Sequence, residues 1–402
     1  MCHAGRLQSS PVSLPRALLV ISAGVAAALH VGKLPPAVAA LQQSLGLSLV
    51  DAGFLLSMVQ LAGMTTAVVM GAWVDTLGLR RSIVAGLSVL AAASIAGGFA
   101  KTPAMLLATR AMEGFGFLMV VLPAPALVRA LVPPGRVNTM MGVWGAYMPF
   151  ATAMAMLAGA HWIAAYDWQT WWWAIGALSA VMAAAITVFI PPPPPHVVQA
   201  RAAGLGRRLR TTLATRGPWL LALAFACYSF QWLAVVGFLP TIYEHAGIPP
   251  GKRGWLTALA AAVNIVGNVA AGRLLHRGLR PVALIRIGYV AMGVAGIVAF
   301  ATPEPWFALR FAAVLAFSMV GGLIPGTLFS LALRLAPDER TVSTTVGWMQ
   351  QWSALGQFIG PPIVAWIASV AGGWQLTWVA TGTAALLGLA LSYALGRLPL
   401  LR

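Results

Sequence analysis

The chain has 402 residues, 60% of them apolar and only 8% charged, where a soluble domain averages about 45–50% apolar and about 25% charged; so few charges cannot cover a protein of this length in water, and lipid removes the need. The formal net charge of +17 does not mark a nucleic-acid binder, because the basic residues stand in short tufts between long apolar runs, the pattern of a membrane protein with positive loops on one side. The spacing of two cysteines, Cys2 and Cys227, and six scattered histidines excludes a disulfide framework and a metal site, and no Gly-x-x-x-x-Gly-Lys-Ser/Thr loop offers itself to ATP, so neither a metal nor a cofactor is expected.

Residues 1–16, with Arg6 and Arg16, read as a short cytoplasmic tail without the small-residue cleavage site of a removed signal peptide. A helix crossing a hydrocarbon core of roughly 30 Å needs about 20 mostly apolar residues. Twelve segments qualify: 17–41, 50–73, 82–100, 104–128, 138–162, 171–190, 218–241, 254–275, 282–301, 306–333, 343–370 and 376–395. In the first span Lys33 stands roughly eight residues, about 12 Å, from the outer end, with His30 one turn earlier on the same face. Pro35 and Pro36 follow and must disturb the helix, freeing carbonyls near the lysine. An ionisable group inside a span costs about 2.5–3.5 kcal/mol or more, which makes each one a functional candidate. The alternative for Lys33 is a side chain that snorkels to the headgroups.

The fourth span carries Arg110 and Glu113 on one helix face, with Arg110 about 10 Å deep. The pair serves transport, or it only holds helices together. Trp144 and Tyr147 lie in the fifth span, and the prolines Pro191–Pro195 stop the sixth. The polar stretch that follows, with Arg201, Arg207, Arg208, Arg210 and Arg216, reads as a cytoplasmic linker. The organisation is therefore a half over 1–190, a linker over 191–217 and a second half over 218–402. Tyr228, Gln231 and Trp232 cluster in the seventh span, Asn264 and Asn268 share a face of the eighth, and Gln350, Ser353 and Gln357 share a face of the eleventh. Such stripes line a cavity or glue helices to one another. Arg310 begins the tenth span near the interface and reads as a snorkelling residue, and Gly360-Pro361-Pro362 is expected to bend the eleventh.

With both termini cytoplasmic, 19 of the 25 basic residues fall in or beside cytoplasmic loops, and the exceptions are Lys33, Lys101, Arg110, Lys252, Arg253 and Arg310. The halves repeat at an offset near 200. Gly53-Phe54-Leu55 answers Gly254-Trp255-Leu256, Gly71 answers Gly272, and Gly78-Leu79-Arg80 answers Gly278-Leu279-Arg280. Arg110 answers Arg310, Arg136 answers Arg340, and Trp144 answers Trp348. Halves in the same order imply a parallel repeat about an axis along the membrane normal.

Gly71-Ala-Trp-Val-Asp75-Thr-Leu-Gly78-Leu-Arg80-Arg81 resembles the signature between helices two and three of the major facilitator superfamily, and Arg110-Ala-Met-Glu113-Gly114-Phe-Gly116 looks like that family's helix-four motif. The resemblance implies an all-α membrane protein of twelve helices in two pseudo-symmetric six-helix halves. It also implies that Gly71, Asp75, Gly78, Arg80 and Arg81 latch the outward-facing state. Thr76 and Leu79 stand where the family has arginines, which thins the latch. Met141-Gly-Val-Trp144-Gly-Ala-Tyr147 and the segment Trp168–Trp173 are similar to the cyanate and nitroimidazole transporter subgroup.

The expected function is secondary transport across a bacterial-type inner membrane by a monomer, with a small solute, lipid and protons as partners and no nucleic acid. Lys33 and Arg110, with Glu113 as the single acid inside the spans, point to an anionic solute, and Glu113 or His30 would carry protons. His30, Trp144, Tyr147, Tyr228, Gln231, Trp232, Asn264, Gln350, Ser353 and Gln357 complete the expected binding site. A proton-coupled exporter of hydrophobic drugs is the first alternative. A multi-pass receptor or enzyme is the second, although no cluster of His, Asp or Cys gathers at one interface as an enzyme would need.

Overall fold

The computed structural model describes residues 13–191, 204–338 and 341–401. Cys2, Arg6, the prolines after Pro191, Arg201 and Arg340 lie outside the described residues. Among the described residues there are helices and no strands, and twelve helices are long and apolar enough to cross a membrane: Leu14–Leu45, Leu49–Met70, Leu79–Gly97, Pro103–Leu131, Tyr147–Ala165, Trp168–Phe189, Arg216–His245, Pro250–His276, Pro281–Ala301, Phe307–Leu335, Val342–Ala371 and Trp374–Gly396. They are spans 1 to 12 below. The end that carries the linker is the linker end, and the opposite one the far end.

Local chemistry sets the boundaries. Ser48 and Asp51 form a capping box at the start of span 2. Thr102 caps span 4 ahead of Pro103, and Asp167 accepts the Thr170 N–H (2.6 Å) to start span 6. Gly78 holds φ +91° between spans 2 and 3, a backbone that a side chain would strain. Span 1 is interrupted as its prolines require: a helix over Leu14–Gly32, a 3-10 turn over Pro35–Ala37, then a helix over Val38–Leu45. Pro361 and Pro362 do not interrupt span 11, whose helix runs unbroken over Val342–Ala371. The neighbouring span 7 closes on it there, with the Phe230 backbone against Gly360. Span 5 is preceded by a separate helix, Val137–Gly145, at the linker end.

The same helix pairings recur in both sets of six. Span 1 packs on span 5 as span 7 packs on span 11, and span 3 packs on spans 4 and 6 as span 9 packs on spans 10 and 12. The sets meet where span 2 lies along span 11, where span 5 lies along span 8, and where the turn of span 1 touches span 7. At the far end this seam is tight. A Cβ on Gly53 would lie 2.9 Å from Pro362 Cα and 3.0 Å from the Pro361 carbonyl oxygen, and one on Gly254 would lie 2.9 Å from Ala160 Cβ. A small cavity of about 190 Å³ remains there, lined from both sets by Pro35, Pro36, Gln43, Thr241, Glu244 and Arg253 among others. Towards the linker end the seam opens between spans 5 and 8, while spans 2 and 11 stay in contact as far as Val68, whose N–H donates to Gln351 Oε1 (3.4 Å). Span 8 packs against Tyr147–Ala165 of span 5 without comparable packing on Val137–Gly145. Gly142, Gly145 and Gly272 have nothing within 4 Å of where a Cβ would stand.

Candidate functional site

Inside the first six spans four ionisable side chains lie buried against one another. His30, Lys33, Arg110 and Glu113 are each 0% exposed. The 3-10 turn at Pro35 returns the Ala37 N–H to the Leu34 carbonyl, which leaves the Lys33 carbonyl free, and Trp171 Nε1 donates to it (3.1 Å). Thus anchored, Lys33 sends its ammonium inward, 4.6 Å from the centre of the Trp172 ring. Its donors go to Ser94 Oγ (2.7 Å), to His30 Nδ1 (3.4 Å) and to Glu113 Oε1, with which it forms an ion pair. The other carboxylate oxygen of Glu113 accepts from Arg110 Nη1 (2.6 Å). Arg110 also donates to the carbonyls of His30 (2.6 Å) and Leu55 (3.3 Å), tying span 4 to spans 1 and 2. Gly114 permits this by letting span 4 lie against the Val59 backbone. Arg110 Nη2 is buried without a partner.

Proton order follows from the serines. Ser94 Oγ donates to the Trp172 carbonyl (2.7 Å) and so accepts from Lys33. Ser179 Oγ donates to the Ile175 carbonyl (3.1 Å) and so accepts from His30 Nε2 (2.8 Å). Neutral His30 therefore presents a bare Nδ1 to Lys33. A proton gained there would turn N–H towards Glu113 Oε1, 3.3 Å away. Lys33, which the sequence shows only as a lone cation in its span, takes its counter-charge from Glu113, 80 residues on, and shares it with Arg110. Both cations face into the helix set and not freely into the seam.

The remaining candidates fall into separate groups. Tyr228, Trp232 and Asn264 form a knot inside the last six spans. Asn264 Nδ2 donates to Tyr228 Oη (3.0 Å) and to the Ser318 carbonyl (2.8 Å), Trp232 Nε1 donates to Ser318 Oγ (3.2 Å), and Asn268 donates to Asn264 Oδ1 (2.8 Å). On the seam, Gln60 Nε2 of span 2 donates to Gln357 Oε1 of span 11 (3.0 Å). Gln357 donates to Ser353 (3.3 Å), and Ser353 shares a hydrogen bond with Ser229 of span 7 (2.6 Å). Gln350 is half-buried two turns before Gln357. Gln231 is fully buried, donates to the Cys227 carbonyl (3.0 Å) and keeps Oε1 without a partner. Trp144 and Tyr147 stack at 4.3 Å, with Trp144 against Gly24 of span 1, apart from both clusters. Ser94, Ser179, Gln60, Ser229 and Ser318 are neighbours of these candidates that sequence reasoning missed. In sequence they are lone polar residues in apolar runs, indistinguishable from packing.

At the expected latch, Arg80 Nη2 donates to the Thr187 carbonyl of span 6 (2.6 Å) and Arg81 is exposed. The side chain of Asp75 and the surroundings of Gly71 lie outside the described residues. Among the described residues no group of His, Cys, Asp and Glu could hold a metal.

The profile of the Major Facilitator Superfamily matches residues 18–360. A tetracenomycin C resistance and export protein of Streptomyces glaucescens is 29% identical over 131 residues, which cover 32% of this chain and 24% of that protein, so the match spans about a quarter of its length. A bacterial homologue of the human lysosomal transporter Spinster, solved in an inward-facing and occupied conformation, superposes with a TM-score of 0.77 at 16% identity, covering 97% of this chain and 98% of that one. The same transporter inward-facing and unoccupied gives 0.70 at 17% identity, with 95% of each chain covered.

Proposed function

The chain belongs to the Major Facilitator Superfamily, and we propose on that premise that it is a secondary transporter in which 1–190 and 218–402 rock about the seam, with the linker end cytoplasmic. The observation that carries this reading is the asymmetric seam: packed at the far end through Gly53 and Gly254, open at the linker end around Gly142, Gly145 and Gly272. A site between two rigid repeats that is closed on one side and open on the other is one end state of alternating access. The Arg80, Arg81, Gly78, Asp75 and Gly71 loop would bias the opposite state.

The solute that this geometry favours is an uncharged or amphipathic one with apolar surface. Between the ends of the seam the groups that cross or border it are amides and hydroxyls (Gln60, Gln350, Ser353 and Gln357), the charged pair Glu244–Arg253 (2.6 Å) lies at the far end, and Lys33 and Arg110 already share a counter-charge. The partial relative is named for resistance to and export of tetracenomycin C, which supports export as the direction. Glu113 and His30 then serve coupling to protons. An anionic solute is the second reading, favoured by three basic groups around one carboxylate and by the partnerless Nη2 of Arg110.

A thermal-shift panel on the purified protein tests the choice. Planar aromatic compounds are expected to raise the melting temperature and small carboxylates and inorganic anions to leave it unchanged; stabilisation by the anions alone reverses the order of the two readings. Sidedness has its own test. In a background without Cys2 and Cys227, cysteines at Gly206 and Tyr166, both exposed and at opposite ends, are expected to label from opposite faces, Gly206 from the cytoplasm. Labelling of both from one face contradicts the arrangement.

A further inference from the structure

Between the two sets of spans lies a short helix, Leu205–Leu213, whose sequence Leu-Gly-Arg-Arg-Leu-Arg-Thr-Thr-Leu separates charge from apolar surface. Arg207 and Arg210, one turn apart, are exposed, with Arg208 at their flank. On the other side Leu209 is half-buried and Thr212 fully buried. The helix is separate from span 7. The chain turns at Ala214–Thr215, where Thr215 Oγ1 donates to the Thr211 and Thr212 carbonyls, and Trp219 Nε1 fastens the end by donating to the Leu213 carbonyl (2.9 Å). The helix therefore rests on spans 7 and 11 at the linker end.

Beside it stands an aromatic group. Trp219 meets Trp348 edge-on at 4.9 Å and Trp352 at 5.6 Å. Both sit on the face of span 11 that carries the exposed Ile359, Ile363 and Trp366. That face is turned to lipid; the Trp348 N–H is buried and the Trp219 N–H is spent on the Leu213 carbonyl, so the three rings offer an apolar wall at the linker end of the span. Arg207 and Arg210 stand exposed beside this wall at the linker end. Among the described residues no carboxylate forms a salt bridge with Arg207, Arg208, Arg210 or Arg216.

We propose that the helix Leu205–Leu213 is a docking surface for anionic phospholipid headgroups, with Arg207 and Arg210 as its contacts and the Trp219–Trp348–Trp352 group as its acyl-side wall. Charge complementarity selects this occupant. An amphipathic basic helix at the end of the spans, beside a tryptophan group, meets a negative surface in the bilayer itself, and guanidinium forks match phosphate oxygens. Because the helix bears on spans 7 and 11, a bound headgroup would weight the second helix set and not the first.

The test uses the full chain in nanodiscs holding equal parts of phosphatidylglycerol and phosphatidylcholine on both faces, with lipids retained after release read by native mass spectrometry. Wild type is expected to retain phosphatidylglycerol preferentially, and Arg207→Gln/Arg210→Gln to lose roughly five-fold of that preference per arginine, the ratio that corresponds to about 1 kcal/mol each. Arg277→Gln/Arg280→Gln, exposed at the same end on the loop between spans 8 and 9, is expected to keep most of it. Inorganic phosphate at low millimolar concentration is expected not to displace the lipid; displacement would identify a free-anion site instead and overturn the proposal. Equal retention of the two lipids by wild type, or an unchanged preference in the Arg207→Gln/Arg210→Gln protein, would also overturn it. If that double variant fails to purify as a single species, Arg210→Gln alone gives the same comparison with half the effect.

Discussion

Glu113→Gln is expected to lower the thermal unfolding midpoint in detergent by on the order of 10 °C, more than any other single change in the buried cluster. Among the described residues the carboxylate is the only counter-charge within reach of Lys33 and Arg110, and all three are 0% exposed. Removing it leaves two cations in a medium that solvates neither, at a cost of about 3–5 kcal/mol for a broken buried pair. Lys33→Met alone leaves the Arg110–Glu113 pair at 2.6 Å intact and is expected to cost less. Lys33→Met with Glu113→Gln leaves one stranded cation in place of two, so the double variant is expected to be more stable than Glu113→Gln itself. Differential scanning fluorimetry of the four proteins checks the order. A Glu113→Gln protein as stable as wild type would mean that Lys33 is not held as a cation.

Gly53→Val is expected to abolish transport while leaving expression and monodispersity near wild type. A Cβ at this position already lies within 3.0 Å of span 11 backbone at Pro361 and Pro362, and backbone does not yield as a side-chain tip does. Overpacking typically costs about 1–3 kcal/mol. Here the strain exists only when the far end is closed, so it is relieved by opening that end. On a two-state equilibrium this shifts the ratio by roughly 5- to 150-fold towards the far-end-open state. The check is alkylation of a cysteine placed at Gln43, which lines the far-end cavity. Its rate is expected to rise in the Gly53→Val background, and an unchanged rate would mean that the far end does not open by separating spans 2 and 11.

These two residues mark what a sequence can and cannot reveal. Glu113 was visible as a lone acid in an apolar run, and Lys33 as a lone cation, because each violates the composition of its own span. Their pairing was not visible. Helical periodicity relates residues three or four apart, and Lys33 and Glu113 are 80 residues apart. The serines that fix the proton order, Ser94 and Ser179, occur in small-residue runs where a hydroxyl reads as packing. The spans were legible to within a few residues, since length and apolarity are local. Span 5 was the least so: a break at Ala146 divides the expected helix, and nothing in Trp144-Gly-Ala-Tyr147 distinguishes a helix end from a continuous helix with glycines. The proline pairs show the same limit. Pro35-Pro36 interrupts span 1 while Pro361-Pro362 leaves span 11 helical. The seam itself, with Gln60 reaching Gln357 across 297 residues, is a property of the assembled halves alone.

Paired spin-label distances in proteoliposomes test alternating access most directly. One pair joins Gln43 and Pro250 at the far end, and the other joins Thr139 and His276 at the linker end, all four exposed. The rocking of two helix sets predicts two populations in each pair that move in opposition: as a pH gradient or a stabilising solute lengthens the far-end distance, the linker-end distance shortens. A single unchanging distance in both pairs, or two distances that lengthen together, would contradict a rocking transporter.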